Sequence, residues 1–170
     1  MERADATEAV RLAEFNSLRQ EIGHRTTIQQ GLVALNLTVA TSVSALVAAS
    51  KNREDLFLVV AFASCVFGFL WLDHHLNIHL IGQYVQKVLW RWEPSWEAHI
   101  RSSKKPQWWQ IAYCLAALLA FVGVAAAAVI LASTHLPGCM RWLWWVAIAL
   151  TSGCAVCFGR VFLAGPGQVK

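Results

Sequence analysis

Four long apolar runs, at about residues 28–50, 56–72, 108–132 and 142–163, constrain this chain more than any other feature. A helix needs about 20 apolar residues to cross a hydrocarbon core about 30 Å thick. The third and fourth runs meet that length easily, and the second is near its lower limit. The first is interrupted by Gln29, Gln30, Asn36, Thr38, Thr41, Ser42 and Ser44, yet no charged residue lies between Arg25 and Lys51. One such run suits a buried helix of a soluble protein, but four in 170 residues do not. Charged residues make up only 14% of the chain, against about 25% in a typical soluble domain. No Asp or Glu follows Glu97, and the mean hydropathy is +0.47.

The expected fold is all-α: an integral membrane four-helix bundle with an N-terminal helix and an amphipathic extension of the second span. The organisation read from the chain is an N-terminal amphipathic helix (1–27), a first transmembrane hairpin (28–72) and a helical extension with a loop (73–107). A second transmembrane hairpin (108–163) and a short tail (164–170) follow. The first run lies too far from the N-terminus, and is too long and polar, for a cleavable signal peptide. Its partner is therefore the lipid bilayer.

Lysine and arginine set the expected orientation. Eleven fall in the N-terminal segment, the central loop and the tail, whereas Lys51, Arg53 and Arg141 lie on the other side. Positive residues are retained in the cytoplasm, which places both termini there, in a bacterial inner membrane. Trp71, the Trp108–Trp109 pair, Trp142, Trp144 and Trp145 lie near run ends, where indole rings favour the headgroup zone. The balance of +4 reflects this topology and gives no reason to expect nucleic acid.

Two segments outside the runs read as helical. Asp5-Ala-Thr-Glu8 has the form of a capping box, Phe15, Leu18 and Ile22 make an apolar stripe, and Glu21 lies four residues before Arg25. Beyond the second run, Asp73, Asn77, Tyr84, Lys87 and Arg91 fall within roughly 80° on a helix. They flank an apolar face of Ile78, Ile81, Val85, Val88, Leu89 and Trp92. This amphipathic continuation either lies at the interface or packs on the N-terminal helix as a stalk; the absence of a break before Gly82 favours the stalk.

Chemistry-bearing motifs are few. His75 and His79 stand at a spacing that can place two imidazoles on one metal, but further ligands are needed, so no metal site is expected. Cys154 and Cys157 form a CxxC inside the fourth run, where small packing residues are the expectation. No phosphate loop, hydrolase elbow, zinc-protease motif or dinucleotide fingerprint is present. Neither an enzyme nor a cofactor is expected. The polar atoms of the first run, Gln29, Asn36, Thr41 and Ser44, need partners in another helix or in water; they fasten the bundle or line an aqueous path in an oligomer. Ala112, Ala116, Ala120, Gly123 and Ala127 form a small-residue seam suited to close helix contact.

The segment Phe15-Asn-Ser-Leu-Arg-Gln-Glu-Ile22, with Arg25 and Gln29, resembles the opening of a loose group of uncharacterised small bacterial four-span membrane proteins. Trp71-x-Asp73-His74, Ile81-Gly82-x-Tyr84-Val85 and Trp96-Glu97 are similar to later motifs of that group, with Ser95 in place of a glycine. In general shape the group resembles membrane effectors of antiviral operons. The resemblance implies an oligomeric channel-like or membrane-disrupting effector. A cytoplasmic layer of Glu21, Arg25, Asp73, Tyr84, Lys87, Arg91, Trp96 and Glu97 would receive a protein or small-molecule signal. The alternative is a non-conducting sensor or scaffold recruiting a partner through the same layer.

Overall fold

The computed structural model describes residues 2–50, 53–85, 107–133 and 138–163, and every regular element among them is helical. Helix α1 (Glu2–Ala49) and helix α2 (Phe57–Tyr84) form an antiparallel hairpin, with a short 3-10 turn (Glu54–Leu56) before α2. Helix α3 (Gln107–Leu118), a π turn (Leu119–Gly123) and helix α4 (Val124–Ala132) follow one another without interruption. A second 3-10 turn (Gly138–Met140) leads into helix α5 (Arg141–Leu163). Four helical rods are thus long and apolar enough to cross a bilayer.

With 48 residues, α1 is about 72 Å long at 1.5 Å per residue, far more than a hydrocarbon core of about 30 Å requires. It has already begun at Glu2, so Asp5 lies within its first turns rather than ahead of them. No glycine or proline breaks it, because Gly23 and Gly31 sit on an open face where neither meets a neighbour. Its covered positions recur every three or four residues: Leu18, Ile22, Arg25, Gln29, Leu32, Asn36, Ala40, Val43 and Val47 are all buried or half-buried. Spacing of three and four residues keeps one face of the helix toward a partner over many turns. That partner is α2.

The core divides into two layers. Nearer the far turns, Leu58, Val60 and Ala61 of α2 pack with Ala128, Val129 and Ala132 of α4 and Ala147 of α5. In the other layer Cys65, Trp71 and Leu72 meet Ala117, Phe121, Ala125, Cys154 and Phe158. Gly68 permits this meeting: a Cβ there would lie 3.1 Å from Cys154 Sγ and 3.2 Å from Phe121 Cβ. Outside the core, Leu35, Val59, Val66, Leu119, Ile130 and Val156 are exposed. So broad an apolar surface is foreign to soluble monomers and natural for helices in lipid.

Two expectations change. The packed alanines of the third rod are Ala117, Ala125, Ala128 and Ala132, whereas Ala116 and Ala127 face outward. Alanine occupies both faces of this rod, so spacing could not distinguish them; Phe121, placed opposite Gly68, sets the rotation. Trp71 is only 2% exposed, a core residue rather than an interfacial anchor, because Phe121 and Phe158 surround it. Trp142 and Trp145 are exposed.

Candidate functional site

Polar side chains tie the α1–α2 hairpin together at three levels. Deepest is Asn36, fully buried. Its Nδ2 donates to the Ala120 carbonyl at 2.6 Å, and its Oδ1 accepts from Ser64 Oγ at 2.8 Å. Ala120 belongs to the π turn, where wider i→i+5 bonding disturbs the regular ladder and a carbonyl is open to an outside donor. One amide thus joins three segments. Seven residues towards the N-terminus, Gln29 Nε2 donates to the Trp71 carbonyl at 3.3 Å. Ser64 and Trp71 are also seven apart, so the register is kept over two turns. Farther along, Tyr84 Oη donates to Glu14 Oε1 at 2.7 Å.

That last contact joins the α1 and α2 extensions, as expected of a stalk. The Glu14 carboxylate, accepting the phenolic hydrogen bond, holds Tyr84 above the ordinary tyrosine value of 10.0. Val85 is buried beside it, while Ile78 and Ile81 are half-buried. Glu14, absent from the expected layer, shares a signal with Glu21, Arg25, Gln29 and Asn36: all five fall within roughly 80° on α1. Ser64 carried no such signal, because one serine in an apolar run resembles a small packing residue.

The remaining residues of the expected layer stay local. Arg25 Nε donates to Glu21 Oε1 at 2.6 Å within α1. Asp73 Oδ2 accepts from Asn77 Nδ2 at 3.2 Å within α2. Asp73 does not pair with Arg160, which is exposed on α5. Lys87, Arg91, Trp96 and Glu97 lie outside the described residues.

The outer face of α1 differs from the inner one. Thr41 and Ser44 are exposed, and their hydroxyls donate to their own helix, Thr41 to Leu37 O at 2.9 Å and Ser44 to Ala40 O at 2.7 Å. Thr38 does likewise to Ala34 O, and Gln30 is exposed on the same side. The four polar residues expected to act together are therefore split: Gln29 and Asn36 inside, Thr41 and Ser44 outside.

His75 stacks on Trp71 with ring centroids 5.0 Å apart and meets His79 edge-on at 4.8 Å. The pair shares one face, as its spacing implies, but among the described residues no three potential ligands gather as a metal site would require. Cys65, Cys154 and Cys157 are free thiols, the first two buried in the core. Cys65 Sγ lies 3.7 Å from Thr151 Oγ1.

Fold and site together define, among the described residues, four helical rods long and apolar enough to cross a bilayer, fastened by buried polar side chains. The chain matches no protein-family model, no curated protein and no solved structure.

Proposed function

We propose that the protein is an oligomeric multi-pass inner-membrane protein, with both ends cytoplasmic, acting as a channel-like or membrane-disrupting effector. The observation that carries this is the two-sided character of α1. Gln29 and Asn36 fasten one side to the rest of the chain, while Gln30, Thr38, Thr41 and Ser44 remain exposed on the other. In a single chain that polar strip meets lipid. In a ring of chains it lines the enclosed surface, since four helices alone cannot surround a wide path. The stalk joined by Glu14 and Tyr84 belongs to the same unbroken rod, so a protein or small molecule bound there acts directly on the membrane segment. The preponderance of lysine and arginine on the stalk side supports the orientation, and the general shape that the resembled group shares with antiviral membrane effectors suggests a place in bacterial antiviral defence.

A specific observation favours a second reading. Hydroxyls bonded to their own helix carbonyls need no water, so the strip is equally suited to a dry interface in a non-conducting sensor or scaffold. Ion flux through liposomes containing the purified full-length protein separates the two. The effector reading expects flux that changes with Gln30→Leu and Thr41→Val; absence of flux at every voltage and with every added cytosolic fraction overturns it.

A further inference from the structure

α1 leans on α2 and on the π turn but scarcely touches α3, and a groove of about 430 Å³ opens between them. This lies within the range of about 300–1,000 Å³ usual for small-molecule sites. Buried Gln29 and Trp71 form its floor, exposed Thr26 and Gln30 its polar rim, and Val33, Ala117 and Ala120 its inner end. α1 from Thr26 to Val33 and the third rod from Tyr113 to Ala120 each advance about 10 Å, most of the roughly 15 Å depth of one leaflet's apolar half. Polarity therefore falls from rim to inner end in the direction in which a bilayer becomes apolar.

Gln29 is the second observation. It is only 4% exposed, and its single protein hydrogen bond, at 3.3 Å, uses one of two amide N–H groups. Among the described residues, the other N–H and the carbonyl oxygen of this groove-lining side chain have no hydrogen-bond partner. Both border the groove, so an occupant that presents an acceptor at the level of Gln29 and apolar groups below it fits there.

We infer that this groove binds one membrane glycerophospholipid, with an acyl chain along Val33, Ala117 and Ala120 and an ester carbonyl at the remaining Gln29 N–H. The inference rests on reading the rods as membrane spans, but not on conduction. The ester carbonyl accepts from the Gln29 amide, and the headgroup remains outside the rim. The lipid would act as a filler between α1 and the third rod, setting their separation.

The test is native mass spectrometry of the full-length protein released from mild detergent, counting retained phospholipid. The wild type is expected to keep one phospholipid per chain. Ala116→Trp, filling the groove from its exposed edge, and Gln29→Leu, removing the amide, should each lower retention about tenfold, equivalent to about 1.4 kcal/mol. Val156→Trp, exposed elsewhere on α5, should not. A benzophenone amino acid at position 26, on the exposed rim, should crosslink to phospholipid. No retained lipid, equal retention in Ala116→Trp, or crosslinking to a second chain instead would overturn the inference. Recovery of the chain outside the membrane fraction would overturn the membrane reading itself and is distinguished by that fractionation.

Discussion

Asn36 Nδ2 lies 2.6 Å from the carbonyl oxygen of Ala120, so a side chain of the first rod completes the hydrogen bonding of a π turn in the third. The contact explains why an asparagine is fully buried in an otherwise apolar segment. It also links the local distortion of one helix to the position of another. Ser64, donating to the same amide, brings α2 into the node.

Replacing Asn36 with leucine leaves the Ala120 carbonyl and the Ser64 hydroxyl without their partner. We expect Asn36→Leu to destabilise the protein by about 1–3 kcal/mol and Ser64→Ala by about 1 kcal/mol. Denaturation in mixed micelles followed by helicity measures both. The double variant should be distinctly non-additive; simple addition would mean that the three groups do not act as one unit.

At Gly68 the expected response depends on size. A methyl group meets Cys154 Sγ and Phe121 Cβ at 3.1 and 3.2 Å, a distance that neighbours relieve only by moving slightly. Gly68→Ala should lower stability modestly, and Gly68→Val by about 1–3 kcal/mol through overpacking. The same micelle titration orders the series, and a valine variant as stable as wild type would contradict the close approach of the three rods.

Phe121 is fully buried between Trp71 and Phe158. Phe121→Ala should cost about 3–5 kcal/mol, the usual range for removing a core aromatic ring. Phe121→Leu, which leaves a smaller cavity, should cost clearly less than Phe121→Ala. Because Trp71 contacts this ring, both changes should also alter tryptophan emission.

The Tyr84–Glu14 contact predicts a pH response in the stalk. A phenol held above its ordinary value of 10.0 by a hydrogen bond favours the protonated form when the helices are joined. The contact is therefore fully present below pH 10 and lost as pH rises through the raised value. Ultraviolet titration should show the later-ionising signal disappear in Tyr84→Phe and move down in Glu14→Gln. If Glu14→Gln leaves the titration unchanged, the carboxylate is not the cause.

On the outer face of α1, Thr41→Val and Ser44→Ala remove hydroxyls that are bonded only to their own helix. Stability should change by less than about 0.5 kcal/mol, as for exposed substitutions, while liposome flux should fall if the strip lines a conducting path. Unchanged flux in a conducting preparation would place the path elsewhere.

Much of this architecture was legible from residue order alone. Runs of apolar residues longer than a bilayer core leave few alternatives to helical rods, because backbone groups in lipid must be satisfied within the segment. Periodicity also carried the stalk beyond the second run, as Tyr84 and Val85 illustrate. What helical spacing could not resolve was the partner of each polar group. Gln29, Asn36, Thr41 and Ser44 form one polar set in a list, yet rotation about α1 sends two into the bundle and two outward.

Residue order thus determined the four apolar rods, through their length and their lack of charge. Only the tertiary structure decided that Phe121 packs against Gly68, that Trp71 is core, and that the third rod turns Ala117 inward and Ala116 outward. The physical reason is that hydrophobic burial is non-directional. Alanines on two faces of a helix are equivalent until a large ring, a missing Cβ and a buried amide select one rotation.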